Sequence, residues 1–463
     1  MDRPHPGPLL TRRGRSLFPH SFIENLTALL LLGSVLLVAG CEQVESIQSR
    51  FERRLTPHEQ YTVSLEEAGL TATALGRSWI NASTLALAEA SPVDLPFREA
   101  RYLDPAQPEA VGYRFELRRG QQLLIDVATQ PGETARVFVD LFEAPRDSTR
   151  APRRLHSADS TRAIAYNIRR DRTYLLRVQP ELLRGERYTI TIQTNASLAF
   201  PVAGKNTGAI RSSFGDARDG GRRRHHGVDI FADRGTPALA AANGVVSRVR
   251  NGGLGGKTVW IRDNNGHSLY YAHLDRQLVR RGMRVSVGDT VGLVGNTGNA
   301  RSTPPHLHFG IYQNGPTDPF PFIHVPRTRP AAVRVDTSRL GRTARVTLST
   351  ARLRATPSTR AETIRELPLY TALYVVGGSG SWYRVHLPDS TVGYIAASQI
   401  EPAQQPVRQV QLAQGRLVLH HPTLTAVAID SLAADATVPV LGEFEGFLYV
   451  ASPSGRTGWI ALD

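Results

Sequence analysis

Apolar and polar positions alternate along most of this chain beyond residue 60. Tyr113-Arg114-Phe115-Glu116-Leu117 gives the pattern in its simplest form, with every second side chain apolar. That period of two marks a strand with one buried face. Arg119-Gly120 then turns the chain into Leu123-Leu124-Ile125-Asp126-Val127. Similar runs follow at 137–141, 173–178 and 188–192. Short alternating runs separated by turn residues predict an antiparallel β-sandwich over residues 61–200. A second strand-rich stretch covers 201–325. There residues 239–246 lead through Gly252-Gly253 and Gly255-Gly256 into Thr258-Val259-Trp260-Ile261, and 288–295 read as turn plus strand. A Pro- and Arg-rich linker at 326–345 precedes two related units, 346–402 and 403–463. Each unit is a string of short strands that would close into a small barrel, a repeat of about 60 residues. At 463 residues the chain exceeds what one core supports. The expected fold class is mostly β and multidomain.

The first forty residues have a different pattern. Arg3, Arg12, Arg13 and Arg15 precede an apolar run at 26–39, broken only by Thr27, Gly33 and Ser34. Roughly 14 residues are too short to span a bilayer comfortably and suit a signal h-region. The run ends Val38-Ala39-Gly40-Cys41, small residues directly before the only cysteine of the chain. This stretch resembles a lipoprotein signal, which implies removal of 1–40 and a lipid on Cys41. A lipidated Cys41 leaves no thiol for a disulfide, so the exported chain would rely on its cores alone. The resemblance places the protein outside the cytoplasm, lipid-anchored to a membrane and facing the cell wall or periplasm. Glu42 favours the outer membrane in a two-membrane host. Residues 41–60 are polar and charged and read as a tether.

Charge narrows the choice of partner. The formal net charge is +14, nearly all of it from Arg, with Lys only at 205 and 257. Excess positive charge can meet nucleic acid, an anionic polymer or a membrane surface. No nucleic-acid motif is present, so carboxylate-rich cell wall or anionic lipid fits better. The charge is spread along the chain, and much of it belongs to solvated surface.

Candidate chemistry lies in the 201–325 stretch. Of 14 His, those at 225, 226, 267, 273, 306 and 308 cluster there. In an extended His225-His226-Gly227-Val228-Asp229, the side chains of His225 and Asp229 share a face. His306 and His308 share one likewise, with Leu307 turned into the core between them. Two imidazoles and one carboxylate suit zinc with its fourth position open to water.

Four blocks raise that reading further: 225–230, Leu269-Tyr270-Tyr271-Ala272-His273-Leu274, Gly295-Asn296-Thr297-Gly298, and His306-Leu307-His308-Phe309. Their order and spacing resemble the lysostaphin-type, LytM-like zinc metallopeptidases of the cell wall, across residues 202–325. The resemblance implies zinc held by His225, Asp229 and His308, with His273 and His306 as catalytic, non-ligand histidines. His226 and His267 would be bystanders. Two departures bear on substrate fit: a longer loop at 298–305, and Gly310 where an acidic residue is frequent. The implied activity is a zinc endopeptidase that cuts peptide cross-links of peptidoglycan. Its alternative is a non-catalytic LytM-like wall-binding protein or amidase activator, in a divisome or with an amidase partner. Such proteins typically lack one of the five residues, all of which are filled here.

The flanking segments also resemble known modules. Residues 61–200 resemble the PPC-like sandwich found beside secreted peptidases, and the two C-terminal units resemble bacterial SH3-like domains. The latter resemblance implies binding of cell-wall peptides. On the bland alternative, Trp382, Tyr383 and Trp459 are core or interface residues.

Overall fold

A computed structural model describes residues 55–129, 136–147, 149–158, 161–185 and 187–462. Cys41, the apolar run before it and most of the expected tether lie outside these residues. From Pro57 onward the chain forms one compact unit. Among the described residues no helix is long and apolar enough to cross a membrane.

The protein is mostly β, as its alternation dictates, but it begins with two helices. Pro57–Glu67 is a helix, so residues 57–60 are not tether. Ala74–Ala88 follows, capped by the Thr73 hydroxyl, which accepts from the Gly76 N–H. The β-pattern reading of 61–200 passed over both, because neither carries a long apolar stripe. A small aromatic cluster ties them to the sheet instead. The His58 ring stacks on Trp79 at 4.8 Å and meets the edge of Phe138. His58 Nε2–H donates to Gln179 Oε1 at 2.8 Å, and Gln179 in turn donates to the Trp79 carbonyl at 2.8 Å.

The sandwich has two sheets around a single apolar core that includes Leu123, Ile125, Leu141, Leu176 and Ile190. In one sheet Arg172–Pro180 lies between Val111–Leu117 and Val137–Glu143. In the other, Arg187–Ala196 lies between Phe97–Tyr102 and Gln121–Thr129. This second sheet does not end at the sandwich. Phe97–Tyr102 also pairs with Ala372–Ser379 of the first C-terminal barrel, with Ala100 opposite Gly378 and Arg101 opposite Gly377. Sandwich and barrel thus share one continuous sheet.

The two C-terminal units confirm the internal repeat by topology. In the first, Arg342–Val346 pairs with Ala372–Ser379, which continues through Trp382–His386 and Val392–Ala396 to Thr350–Arg354 and Thr363–Pro368. In the second, Arg408–Gln411 pairs with Thr437–Phe444, and the same order follows through Phe447–Ala451 and Thr457–Ala461. Tyr383 is buried and donates to the Asp336 carbonyl at 2.9 Å. Trp459 packs with Leu419 and Phe444 against the core of the first barrel. These two aromatics are core and interface residues; Trp382 stays half-exposed.

A buried polar network locks the seam between sandwich and barrel. Glu99 is completely buried. Its carboxylate accepts from the Tyr113 hydroxyl at 2.5 Å and from the Tyr394 hydroxyl at 3.1 Å. Arg384 Nη1 donates to Tyr394 at 3.1 Å and lies 3.9 Å from Glu99, while Nη2 donates to Ser91. Sandwich and barrel residues therefore satisfy one another's charges.

Breaking a buried pair by removing one partner costs about 3–5 kcal/mol. Arg384→Met is accordingly expected to lower the urea midpoint strongly, and Glu99→Gln combined with Arg384→Met to recover most of the loss. A single variant with an unchanged midpoint would show the pair to be dispensable.

Acid should also weaken the fold. Burial, then the nearby Arg177, lowers His58 to about 4, and burial beside Arg101 and Arg384 lowers His386 to about 3. Both rings are neutral in the folded state at pH values where the unfolded chain, near 6.5, takes up protons. Stability therefore falls as pH drops from about 6.5 toward 4. Thermal melts at pH 7, 6, 5 and 4.5 should show Tm falling through this window, with a shallower slope in His58→Gln.

Candidate metal centre

Strand pairing assembles the centre. Val228–Phe231 runs antiparallel to His306–Tyr312, with Asp229 opposite His308 and Phe231 opposite His306. On its other side His306–Tyr312 pairs with Ser268–Gln277, placing Ala272 opposite His308. Leu307, Phe309 and Ile311 point into the domain core with Val228 and Ile230, all essentially without exposure. The alternating residues His306 and His308 consequently face the opposite way, as the pattern predicts.

His225 reaches the same face by another route. The strand begins only at Val228, so His225 and Asp229 do not share an extended run. His225 follows the small hairpin of Ala217–Arg218 and Arg223–Arg224. Its N–H donates to the Asp216 carbonyl at 2.8 Å, and its own carbonyl accepts from Gly215 at 2.8 Å. Between them Gly227 lets the chain pass under the site. A Cβ there would stand 2.5 Å from the Phe309 carbonyl oxygen and 2.8 Å from the His308 ring. The common face was foreseen correctly, but a turn and not a pleat produces it.

Three donor atoms converge. His225 Nε2 lies 3.0 Å from Asp229 Oδ1 and 2.9 Å from His308 Nδ1, and the latter two are 3.0 Å apart. His225 Nδ1 lies 2.8 Å from the Ser213 carbonyl. A carbonyl can only accept, so this nitrogen carries the hydrogen and Nε2 offers a lone pair. The donor set is two imidazole nitrogens and a carboxylate oxygen. Zinc bonds of about 2.0–2.2 Å in a tetrahedron separate ligand atoms by about 3.3–3.5 Å, so this cluster needs only a few tenths of an ångström of expansion. The residues fit zinc with one position open. His225, Asp229 and His308 form a potential metal-holding group among the described residues.

Around them stands a supporting shell. Arg218 donates from Nη2 to Asp229 Oδ2 at 2.8 Å, which fixes the carboxylate with Oδ1 turned to the imidazoles. Sequence reasoning missed Arg218, because nothing in Ala217-Arg218-Asp219 marks one Arg among the neighbouring Arg222, Arg223 and Arg224. Burial opposes the Asp229 charge, and the Arg218 guanidinium beside it offsets that cost. Burial likewise lowers the His308 ring.

The two outer histidines have matching arrangements. His273 Nδ1–H donates to the Thr297 carbonyl at 2.8 Å, and His306 Nδ1–H to the Pro304 carbonyl at 2.9 Å. Each therefore keeps an unprotonated Nε2. His306 Nε2 lies 4.0 Å from Asp229 Oδ1, and the His273 ring is 5.1 Å from His306 and 5.9 Å from His308. Burial lowers His273 to about 4, so it is neutral at neutral pH. His273 also has φ of 61°, a left-handed conformation that costs a non-glycine residue of order 1 kcal/mol. Its N–H donates to the Gly255 carbonyl at 2.8 Å, which sustains that turn.

The bystanders stand apart from the cluster. His267 Nδ1 bonds Asp263 Oδ2 at 2.8 Å and rests against Phe322. His226 is exposed on the rim. A cleft of about 560 Å³ opens over the five residues, and its lining comes entirely from 212–312. Asn299, Ala300 and Thr303 of the long 298–305 loop form one wall. No described residue of the sandwich belongs to that lining.

Comparison with known proteins agrees with this arrangement. Residues 223–319 match the model of peptidase family M23, and residues 349–401 match that of the bacterial SH3 domain. The L-Ala--D-Glu endopeptidase of Bacillus subtilis is 40% identical over 138 residues, covering 27% of this chain and 42% of that protein. Peptidoglycan DD-endopeptidase ShyC of Vibrio cholerae is 43% identical over 93 residues, covering 20% of this chain and 21% of that protein. The chain thus spans less than half the length of either relative. Among solved structures, the catalytic domain of lysostaphin from Staphylococcus simulans is 33% identical, with 24% of this chain and 87% of that chain covered and a TM-score of 0.21. All five clustered residues lie within the segment that matches peptidase family M23.

Proposed function

We propose that the 201–325 domain is a zinc-dependent endopeptidase that hydrolyses peptide cross-links of peptidoglycan. One observation carries the reading: three converging donor atoms, 2.9–3.0 Å apart, beside two imidazoles whose Nε2 atoms are free to handle protons. Relatives named peptidoglycan DD-endopeptidase support the substrate class. His225 Nε2, Asp229 Oδ1 and His308 Nδ1 would hold the ion. Zinc bound there would lower the pKa of a water to near 7 and polarise the scissile carbonyl.

The remaining chemistry belongs to this chain's own residues. Of His273 and His306, one accepts the proton of the attacking water at its Nε2 and passes that same proton to the leaving amine as the C–N bond breaks. Neutral His273 can accept at neutral pH because burial keeps its proton off. Carbonyls of Thr297 and Pro304 hold both rings in the required tautomer. The filled set of five disfavours the non-catalytic reading. On the same proposal the SH3-like units hold the wall, and a lipid on Cys41 anchors the protein to a membrane facing it. The small residues before Cys41 support the anchor.

The ligand and proton-handling roles are separable by experiment. His225→Ala and His308→Ala should lose zinc, read by metal analysis of the purified protein. His273→Ala and His306→Ala should keep zinc and lose at least about 10²-fold in turnover, read by mass spectrometry of muropeptides. A chelator should abolish cleavage and added zinc restore it. Zinc loss in His273→Ala or His306→Ala would move that residue among the ligands.

Arg218 should matter to the metal without touching substrate. Removing a group that orients a ligand typically costs about 10–100-fold in metal affinity. Arg218→Met is expected to weaken zinc binding by that factor in a competition titration with a coloured chelator. An unchanged affinity would reduce the Arg218–Asp229 contact to an incidental ion pair.

A further inference from the structure

The site-facing side of the sheet carries a second feature that hydrolysis does not use. Arg248 is paired opposite Trp260, Trp260 opposite Tyr270, and Tyr270 opposite Gly310. Four neighbouring strands therefore contribute one straight row, with Tyr312 beside it two positions past Gly310. The Trp260 and Tyr270 rings lie 4.3 Å apart at 33°, and Trp260 and Tyr312 lie 5.2 Å apart at 44°. The Arg248 guanidinium lies 5.9 Å over the Trp260 ring. At its inner end the row touches the metal centre, since Tyr270 meets the His308 ring at 5.7 Å.

Packing does not account for these aromatics. Their strand neighbours Val259, Ile261, Tyr271, Phe309 and Ile311 point inward and are sealed in the core. Trp260, Tyr270 and Tyr312 point the other way and remain half-exposed. A solvent-facing side of a sheet ordinarily carries polar residues. Gly310 shapes the row further. A Cβ there would sit 3.1 Å from the Tyr312 ring and 3.6 Å from Tyr270, so any side chain would fill the dip between the two tyrosines.

We infer that this aromatic row is a saccharide platform, which receives a sugar of the glycan strand whose peptide occupies the metal cleft. The inference rests on the peptidoglycan reading of the cleft and extends it. Ring hydrogens of a pyranose carry slight positive charge and meet the negative face of an aromatic ring. Arg248, at the exposed end, offers several N–H donors to hydroxyl and amide oxygens. Geometry supplies the link. Strands lie about 4.8 Å apart, so Trp260 stands about 10 Å from the His308 strand. About three extended residues span that distance. A sugar on the platform thus places the scissile bond within about three residues of its attachment point.

The test uses the full protein and two substrates with one peptide, the first retaining its disaccharide and the second stripped of it. The sugar-bearing form should show a KM about tenfold lower. Trp260→Ala and, independently, Arg248→Ala should raise that KM toward the sugar-free value, while Trp260→Phe retains most of the difference. Two results would overturn the platform: equal KM values for both substrates in the unmodified protein, or a loss in Trp260→Ala that is the same on both. The latter would make the row a peptide floor. Should neither substrate be cut, the endopeptidase reading fails, and an N-acetylglucosamine oligomer titrated by NMR still decides the platform. Shifts centred on the Trp260 indole support it, and no shift at millimolar sugar refutes it.

Discussion

One antiparallel pairing underlies the whole site: Val228–Phe231 against His306–Tyr312, in the register that sets Asp229 opposite His308. A slip of one residue would turn His306, His308 and Asp229 into the core and Leu307, Phe309 and Ile230 into the cleft. The apolar residues prevent it, because each is fully buried on the other face. Hydrophobic burial fixes the register, and the register brings Asp229 and His308 together. The polar cluster contributes little to choosing the fold; without a cation it is a buried carboxylate among lone pairs, which is costly to desolvate.

That cost explains the surrounding hydrogen bonds. Arg218 on one oxygen of Asp229, Ser213 behind His225, and the carbonyls behind His273 and His306 each satisfy a group that would otherwise be stranded. They do so with backbone oxygens wherever a histidine is concerned. Backbone acceptors do not rotate away, so they hold the His225, His273 and His306 rings with the hydrogen on Nδ1.

Much of this could be read in the sequence, and for a definite reason. Period-two alternation identifies strands directly, and His306-Leu307-His308 states its own geometry. The five site residues stood out because imidazole and carboxylate at short spacing have few structural uses. What stayed hidden depends on contacts distant in sequence or on turns. His225 joins Asp229 through a hairpin and Gly227, not through a pleat. Arg218 is indistinguishable from its arginine neighbours until the fold brings it to Asp229. The helices at Pro57–Glu67 and Ala74–Ala88 lack a clear stripe because only a few residues of each, Trp79 foremost, reach the core. The continuous sheet joining sandwich to barrel is equally silent. Its pairing spans only Ala100–Gly378 and Arg101–Gly377, and the buried Glu99 that seals it looks like any strand-edge carboxylate.

The backbone of His273 completes the account of why the site sits where it does. A left-handed φ in the midst of a strand is unfavourable, and the pairing register there is irregular. The conformation persists because Gly255 accepts from its N–H and Thr297 holds its ring, so two loops grip one residue from opposite sides. Both loops also border the cleft, one through Leu254 and Gly255, the other through Asn299 and Ala300. Asn299 donates from its N–H to the Leu254 carbonyl at 3.0 Å, which joins them directly. The bonds that hold His273 therefore tie together two loops that line the cleft. A change in the long 298–305 loop would therefore reach both the cleft lining and His273.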